Sequence, residues 1–144
     1  MNIASVLATK GGRVFTIGPG QTIREALRVL AERNVGALVV VDPANRPVGI
    51  LSERDVVRQA VRNEAFFAQT VGEIMTRDVV VGQPQDDLTT VGYTMTDRHI
   101  RHLPVVDEGK LVGMVSIGDI VKAQRDRYAG EVDTLQTQIL DERA

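Results

Sequence analysis

Two patterns of apolar positions, one helical and one strand-like, follow each other along the chain in an order that occurs twice. In the first copy, the apolar run 14–17 predicts a short strand, and Thr22 is suited to cap the helix that follows. The positions after Thr22 recur at helical spacing and predict an amphipathic helix: Ile23, Ala26, Leu27 and Leu30. The run 37–41 is too short for a stable helix and is rich in β-branched residues, so it predicts a buried strand.

A second strand and a second helix complete this unit. A polar turn leads into the apolar segment 48–51, which predicts another strand. Ser52 is suited to open the next helix, in which we expect Val56 and Val57 to point inward. The pattern therefore predicts the order strand, helix, strand, strand, helix.

The second copy repeats this order. Residues 14–42 align with 79–107 and, after one residue is dropped in the turn, 45–58 align with 109–122. In this copy, a strand is predicted at 79–81, and Asp87 is suited to cap a helix whose apolar face is Leu88, Val91 and Met95. A strand pair follows at 103–106 and 111–115, and Ser116 opens the closing helix, in which we expect Ile120 and Val121 to point inward. Units of roughly 45 residues are near the lower size limit for an independent core, so we expect the two to share one core.

The remaining segments complete the predicted organisation. We expect the first repeat at 5–62, a connector at 63–72 and the second repeat at 73–122, entered through 71–76. The segment 123–144 predicts a C-terminal amphipathic helix, whose apolar stripe must be covered by its own module or by a partner: Tyr128, Val132, Leu135 and Ile139. The fold class is α/β (α+β).

Composition narrows the classes of function. The 144 residues contain 17 Lys and Arg against 19 Asp and Glu, a net charge of −2, so no broad positive field exists to attract nucleic acid or an anionic membrane. Only 3% of the residues are aromatic, which disfavours base stacking. The absence of cysteine excludes thiolate metal sites and cysteine nucleophiles and fits a reducing compartment. No apolar run has the length of a signal peptide core or a membrane span, so we expect a cytoplasmic protein.

The sharpest shared feature is a glycine, two apolar residues, a serine and, three positions on, an aspartate, at 49–55 and again at 113–119. At a strand-to-helix junction, the serine hydroxyl, the aspartate carboxylate and unpaired backbone N–H groups face one spot. A carboxylate can accept hydrogen bonds from two ribose hydroxyls, while a hydroxyl and a helix N-terminus favour phosphate. Helix capping alone explains a single copy more simply. Two equivalent copies favour a sugar phosphate site.

These motifs, with His-Leu-Pro-Val-Val-Asp at 102–107, resemble the tandem cystathionine-beta-synthase-type (CBS) domain pair, or Bateman module. Stand-alone bacterial CBS-pair proteins look especially similar, through 53–55 and 98–104. The resemblance covers about 5–122 and implies two repeats packed about a pseudo-two-fold axis. It further implies two clefts that bind AMP, ADP, ATP, NAD or S-adenosylmethionine, and a disc-like homodimer.

The resemblance also implies ligand-binding residues. In one cleft, Ser52 and Asp55 would contact the ribose, and Ile50 and Val80 the adenine. Phosphate would lie near Arg101, His102 and the backbone of Gly118. In the other cleft, Ser116 and Asp119 would contact the ribose, and Met114 and Thr16 the adenine. Phosphate would lie near Arg54 and Lys10. Taken alone, Arg101 and His102 fit solvated charges before a strand better than a ligand role, but their position opposite the motif at 49–55 favours contact with phosphate. We expect His99 to be an exposed residue at a helix end.

The sequence therefore predicts a non-catalytic regulatory module that senses adenosine ligands, has no obligatory cofactor and signals occupancy to an unknown regulated protein. A structural dimerisation module with empty clefts is the alternative. An enzyme is disfavoured because the sequence offers no nucleophile with a matched base. With two histidines and no cysteine, it also offers no metal-ligand spacing.

Overall fold

The computed structural model describes residues 1–143, with side chains described through residue 136. Its elements, in chain order, are α1 (Ile3–Lys10), β1 (Thr16–Ile17), α2 (Ile23–Arg33), β2 (Ala37–Val41), β3 (Pro47–Ser52), α3 (Glu53–Arg62), the 3-10 turn η1 (Phe66–Ala68), α4 (Val71–Ile74), α5 (Leu88–Asp97), β4 (His102–Asp107), β5 (Lys110–Ser116) and α6 (Ile117–Arg143). The predicted mixed α+β architecture with a C-terminal helix is confirmed.

Each repeat is built on an antiparallel strand pair. In the first, β2 pairs with β3 and places Ala37 opposite Ser52; in the second, β4 pairs with β5 and places His102 opposite Ser116. The register is therefore equivalent in the two repeats. Each serine ends its strand beside the start of the neighbouring strand.

The two repeats differ in their first strand. β1 runs parallel to β2, as the sequence predicts for 14–17. The strand predicted at 79–81 is not formed, and the segment makes one parallel bridge, from Gly82 to Val105. Gly82 stands where the first repeat has Ile17, and glycine is a poor strand former. The side chains of Leu103 and Ile3 occupy the space that a Cβ at Gly82 would need.

The two long amphipathic helices begin where the sequence predicts. The Thr22 side chain accepts a hydrogen bond from Glu25 N at 3.2 Å, and Asp87 accepts one from Thr90 N at 3.1 Å. These caps satisfy backbone N–H groups that lack a partner in the first turn of a helix. Both side chains therefore have the capping role predicted for them.

The prediction of one shared core is wrong, because the buried residues form two clusters. The first lies in repeat 1: Ile17, Ile23, Ala26, Leu30, Leu38, Val40, Leu51, Val56, Val71 and Met75. The second lies in repeat 2: Ile3, Val6, Leu88, Val91, Met95, Leu103, Val105, Val115 and Ile120.

Each core receives residues from a segment that the sequence assigned elsewhere. Helix α1 precedes repeat 1 in the chain but packs into the second core, and the segment 71–76, expected to enter repeat 2, packs into the first. The two segments are held equivalently, since Asn2 bridges to Asp87 and Thr70 bridges to Thr22. This exchange of α1 and α4 links the repeats.

The expectation that Val57 and Val121 point inward is wrong. Successive residues of a helix lie about 100° apart, so only one of two neighbours can face a core. Val56 and Ile120 take the buried positions, whereas Val57 is 64% exposed and Val121 is 57% exposed. Helices α3 and α6 therefore each present an apolar side chain to the outside.

The closing helix of repeat 2 and the predicted C-terminal helix form the single helix α6. Tyr128 and Leu135 are exposed and Val132 is half-buried, while Ile139 lies outside the described side chains. In the part of the chain that the structure describes, no helix combines the length and apolar character needed to cross a bilayer.

Candidate functional site

The two serine–aspartate motifs have the same local geometry. In repeat 1, Ser52 N donates to Asp55 Oδ2 at 2.9 Å and Asp55 N donates to Ser52 Oγ at 3.2 Å. In repeat 2, Ser116 N donates to Asp119 Oδ2 at 2.8 Å and Asp119 N donates to Ser116 Oγ at 3.1 Å. Both motifs therefore cap their helices. Each cap also fixes a carboxylate and a hydroxyl at the N-terminus of a helix.

The glycine of each motif makes room for the exchanged segment. A Cβ at Gly49 would overlap with Met75 Sδ and lie 3.0 Å from the Thr76 carbonyl oxygen. A Cβ at Gly113 would lie 3.0 Å from a methyl carbon of Leu7 in α1. The glycine is thus explained by packing within the fold rather than by contact with a ligand.

A cavity of ≈ 750 Å³ opens beside the first motif, and we call it the Asp55 cleft. The residues lining it come from both repeats: Gly36, Ile50, Ser52, Glu53, Arg54, Asp55, Val57, Arg58, Thr76, Asp78, Val79, Val80, His99, Ile100, Arg101 and His102. The structure thus brings together six of the seven residues predicted for this cleft: Ser52, Asp55, Ile50, Val80, Arg101 and His102.

Two placements differ from the prediction. Gly118, expected at this cleft, is not among its lining residues and lies in the first turn of α6 next to Ser116. Arg54, expected at the other site, lines the Asp55 cleft. Both positions follow from the helices that carry them, since each residue lies between the serine and the aspartate of its own repeat.

The Asp55 cleft has several cations available for an anion. Arg54, Arg58 and Arg101 line it, and none of the three makes an ion pair within the part of the chain that the structure describes. The cavity also includes Ser52 and Glu53 at the N-terminus of α3, where backbone N–H groups favour negative charge. A ligand with a neutral polar end and an anionic end matches this distribution of carboxylate and guanidinium groups.

The second motif forms what we call the Asp119 site, consisting of Met114, Ser116, Asp119 and Lys10. Lys10 Nζ donates to Asp119 Oδ2 at 2.6 Å and to the Met114 carbonyl oxygen at 2.9 Å. Burial raises the pKa of Asp119, but hydrogen bonds from Lys10 and the Ser116 backbone outweigh it and leave this pKa below its usual value. The four residues predicted here from repeat 2 and α1 are therefore in one place. Thr16 lies in β1 opposite Val39, and its role at this site stays a prediction.

His102 stands between the two motifs. Its Cε1 lies 4.0 Å from where a Cβ on Gly36 of repeat 1 would be, and its own strand pairs with the strand that ends at Ser116. Burial lowers the pKa of His102, and the positive charges of Lys10 and Arg101 lower it further, against the opposing effect of Asp119 and Glu53. The neutral imidazole is therefore the form that the fold prefers.

This preference predicts a pH dependence of stability. Because the pKa of His102 is lower in the folded state than its ordinary value of 6.5, the unfolded chain binds the proton more tightly. The associated stability is present above pH 6.5 and is lost as the pH falls below 6.5 and through the lowered pKa of the folded state. We expect His102→Gln to reduce the difference in the free energy of unfolding between pH 7.5 and pH 5.5, as measured by urea unfolding. His99→Gln is the matched control and should keep the wild-type difference between the two pH values. A wild-type difference in His102→Gln as well would contradict the account.

Several residues of the Asp55 cleft were missed by the sequence reasoning. Arg58 lies one turn after Arg54 on α3, a spacing that could have identified it. Thr76 and Asp78 belong to the segment that follows α4, so their place depends on the exchange of helices. His99, expected only as an exposed residue at a helix end, is exposed and also lines the cleft.

Comparison with known proteins places this arrangement in a family. The model of the CBS domain family matches residues 4–62 and 71–126. A CBS-domain protein of known structure from Agrobacterium tumefaciens, ATU1752, is 37% identical, superposes with a TM-score of 0.82, and aligns over 86% of this chain and 99% of its own.

Two further solved structures were determined with ligands. The CBS domain pair of protein MJ0100, in complex with 5′-methylthioadenosine and S-adenosyl-L-methionine, is 26% identical with a TM-score of 0.79, over 88% of this chain and 98% of that one. The CBS domain protein PAE2072 from Pyrobaculum aerophilum, complexed with AMP, is 28% identical with a TM-score of 0.74, over 83% of this chain and 89% of that one.

Proposed function

The chain belongs to the CBS domain family, and on that basis we propose that it is a non-catalytic regulatory module that binds adenosine nucleotides between its repeats and signals their presence to a partner. The observation that carries the proposal is the Asp55 cleft. One capped motif, three arginines without ion pairs among the described residues and apolar side chains from both repeats line a single cavity of ≈ 750 Å³.

The chemistry of the lining supports an adenosine ligand with phosphate groups, such as AMP, ADP, ATP or NAD. The Asp55 carboxylate can accept hydrogen bonds from both ribose hydroxyls, because one acceptor group serves two donors. Ile50 and Val80 offer apolar surface for the adenine ring. Arg54 and Arg101 offer bidentate donors for phosphate oxygens. The AMP complex of one related protein supports this ligand class, and the complex of another with 5′-methylthioadenosine and S-adenosyl-L-methionine, which carry no phosphate, supports recognition of the adenosine part.

The proposed signal follows from the position of the cleft between repeats. Asp55 and Arg54 belong to α3 of repeat 1, whereas Arg101 and His102 belong to repeat 2. A nucleotide held by both sets of residues favours one relative packing of the repeats by as much as it binds that packing better. Helix α6 continues from the second motif and offers a route by which this change reaches a partner.

Calorimetric titration tests the proposal directly. We expect AMP, ATP or NAD to bind the purified protein with a Kd in the micromolar range, and inorganic tripolyphosphate, which lacks the nucleoside, to bind far more weakly. Absence of heat and of a melting shift with all three nucleotides would overturn the proposal. Mass spectrometry of small molecules retained during purification would then identify another ligand.

Dimerisation is a second candidate function, favoured by apolar side chains on the outer faces of α3 and α6. Val61 of α3 is 85% exposed, and it lies one turn from the exposed Val57. Val121 is the equivalent of Val57 on α6. A disc-like homodimer would cover these faces.

Light scattering after size exclusion tests the dimer. We expect Val61→Glu to convert a wild-type dimer into a monomer, because a buried unpaired carboxylate is costly at an interface. Val112→Glu, at a half-exposed position on β5, is the matched control and should remain dimeric. A monomeric wild-type protein, or a dimeric Val61→Glu variant, would contradict this assignment.

A further inference from the structure

Lys10 already occupies the acceptors of the Asp119 site. Its ammonium group donates to Asp119 Oδ2 and to the carbonyl oxygen of Met114, and Oδ2 also accepts from Ser116 N. By the chemistry proposed for Asp55, a nucleoside in the second repeat would place its ribose hydroxyls on the counterpart of that residue, Asp119. A ligand at this site must therefore displace the ammonium group.

The fold holds the backbone of Lys10 over this site. Leu7, one turn earlier on α1, packs where Gly113 has no side chain, and Gly12 passes so close to the Val112 carbonyl oxygen that a Cβ would lie 2.9 Å from it. Between them, Gly11 ends α1 with a φ of +93°, a conformation that favours glycine. The end of α1 is thus fixed against β5, while the side chain of Lys10 remains partly exposed.

The first repeat has no such lysine. There Ile50 corresponds to Met114, and its carbonyl oxygen accepts a hydrogen bond from the backbone N–H of Thr76 at 2.9 Å. Ile50 N in turn donates to the Thr76 carbonyl oxygen at 3.0 Å. Asp55 forms no ion pair among the described residues, and Asp78, from the same segment as Thr76, lines the cleft. The two sites therefore differ in whether a cation competes for the aspartate.

We propose that Lys10 makes the Asp119 site selective for phosphorylated over unphosphorylated adenosine ligands, an inference that rests on the proposed function. A neutral nucleoside would take Asp119 and Met114 from the ammonium group and offer it only uncharged acceptors in return. A nucleotide supplies a phosphate, to which the flexible lysine side chain can turn while the ribose takes the carboxylate. Losing or keeping one charge-assisted hydrogen bond corresponds to roughly a tenfold difference in affinity.

Methionine methyl resonances provide a separate reporter for each site. The chain has four methionines, of which Met114 belongs to the Asp119 site and Met75 packs against Gly49 beside the Asp55 cleft. NMR titrations of protein labelled with ¹³C at the methionine methyl groups would compare AMP with adenosine, which differ only in the phosphate. The variants are Lys10→Met, which removes the charge, and Lys10→Arg, which keeps it.

We expect the wild-type Met114 signal to respond to AMP at roughly tenfold or more lower concentration than to adenosine. In Lys10→Met, the concentrations of AMP and adenosine that change the Met114 signal should differ by only about threefold, because adenosine binds more tightly and AMP more weakly. Lys10→Arg should restore the preference for AMP. The Met75 signal should keep its wild-type preference in both variants.

Three results would overturn the inference. A wild-type Met114 signal that responds equally to both ligands would exclude selectivity at this site. An unchanged preference in Lys10→Met, with Met75 still responding, would remove only the role of Lys10. Absence of any response of either methionine to AMP would contradict the proposed function and this inference together.

Discussion

Replacing Asp55 with alanine is expected to weaken AMP binding in the Asp55 cleft by roughly a hundredfold, since a nucleoside loses two hydrogen bonds to a charged acceptor. Arg54 and Arg101 remain in this variant, so the phosphate contacts persist. The change also removes one half of the capping box and costs about 1 kcal/mol of folding stability. Calorimetric titration of the folded variant measures the binding loss apart from the stability loss.

A matched control separates capping from binding. Asp87 is the N-cap of α5 and Asp55 is the N3 residue of the capping box of α3, so each carboxylate accepts a backbone N–H at the start of a helix; Asp87, however, is not among the residues that line the Asp55 cleft. Asp87→Ala should therefore lose a similar amount of stability and bind AMP like the wild type. Equal affinity of the Asp55→Ala variant and the wild type would show that the motif is a helix cap only.

Gly49→Ala is expected to destabilise the fold by ~1–3 kcal/mol, the usual range for overpacking a core. The added Cβ would overlap with Met75 Sδ and press on the Thr76 carbonyl oxygen, which is backbone and cannot rotate away. The loss would occur although alanine is intrinsically preferred to glycine within a strand. Urea unfolding at pH 7.5 measures the change.

Two other glycines calibrate this prediction. At Gly113 the nearest atoms belong to the flexible side chain of Leu7, so Gly113→Ala should destabilise less than Gly49→Ala. Gly20 has nothing within 4 Å of an added Cβ, and Gly20→Ala should leave stability unchanged or slightly raised. If Gly49→Ala were as stable as Gly20→Ala, the close packing of Met75 and Thr76 against β3 would be incorrect.

Local features were predictable because short-range chemistry determines them. Thr22, Ser52 and Asp87 cap helices as expected, since each side chain satisfies backbone groups within its own first turn. The strands β2 to β5 follow their apolar runs for the same reason. The internal repeat then implied that both motifs lie at equivalent junctions, which the common register confirms.

The exchange of α1 and α4 was not predictable from apolar pattern alone, because α1 and α4 could each cover either sheet. Extending the repeat alignment to pair Asn2 with Thr70 would have indicated their equivalence. The inward placement of Val57 and Val121 was wrong for a different reason. Val57 follows the apolar Val56, and Val121 follows the apolar Ile120. The sequence alone does not say which residue of each pair faces the core.

The non-equivalence of the two sites also depends on tertiary structure. The prediction of Lys10 at Asp119 was made from the resemblance, and the structure brings the two side chains within 2.6 Å. Arg54 lines the Asp55 cleft because α3 carries both residues. The open cleft and the occupied site together suggest that the repeats differ in the ligands they admit.

A crystal structure of the protein with AMP tests the central claim most directly. The account predicts the ribose hydroxyls within hydrogen-bonding distance of the Asp55 carboxylate, adenine against Ile50 and Val80, and the phosphate near Arg54 or Arg101. Nucleotide density elsewhere on the molecule, with an empty Asp55 cleft at saturating AMP, would contradict it.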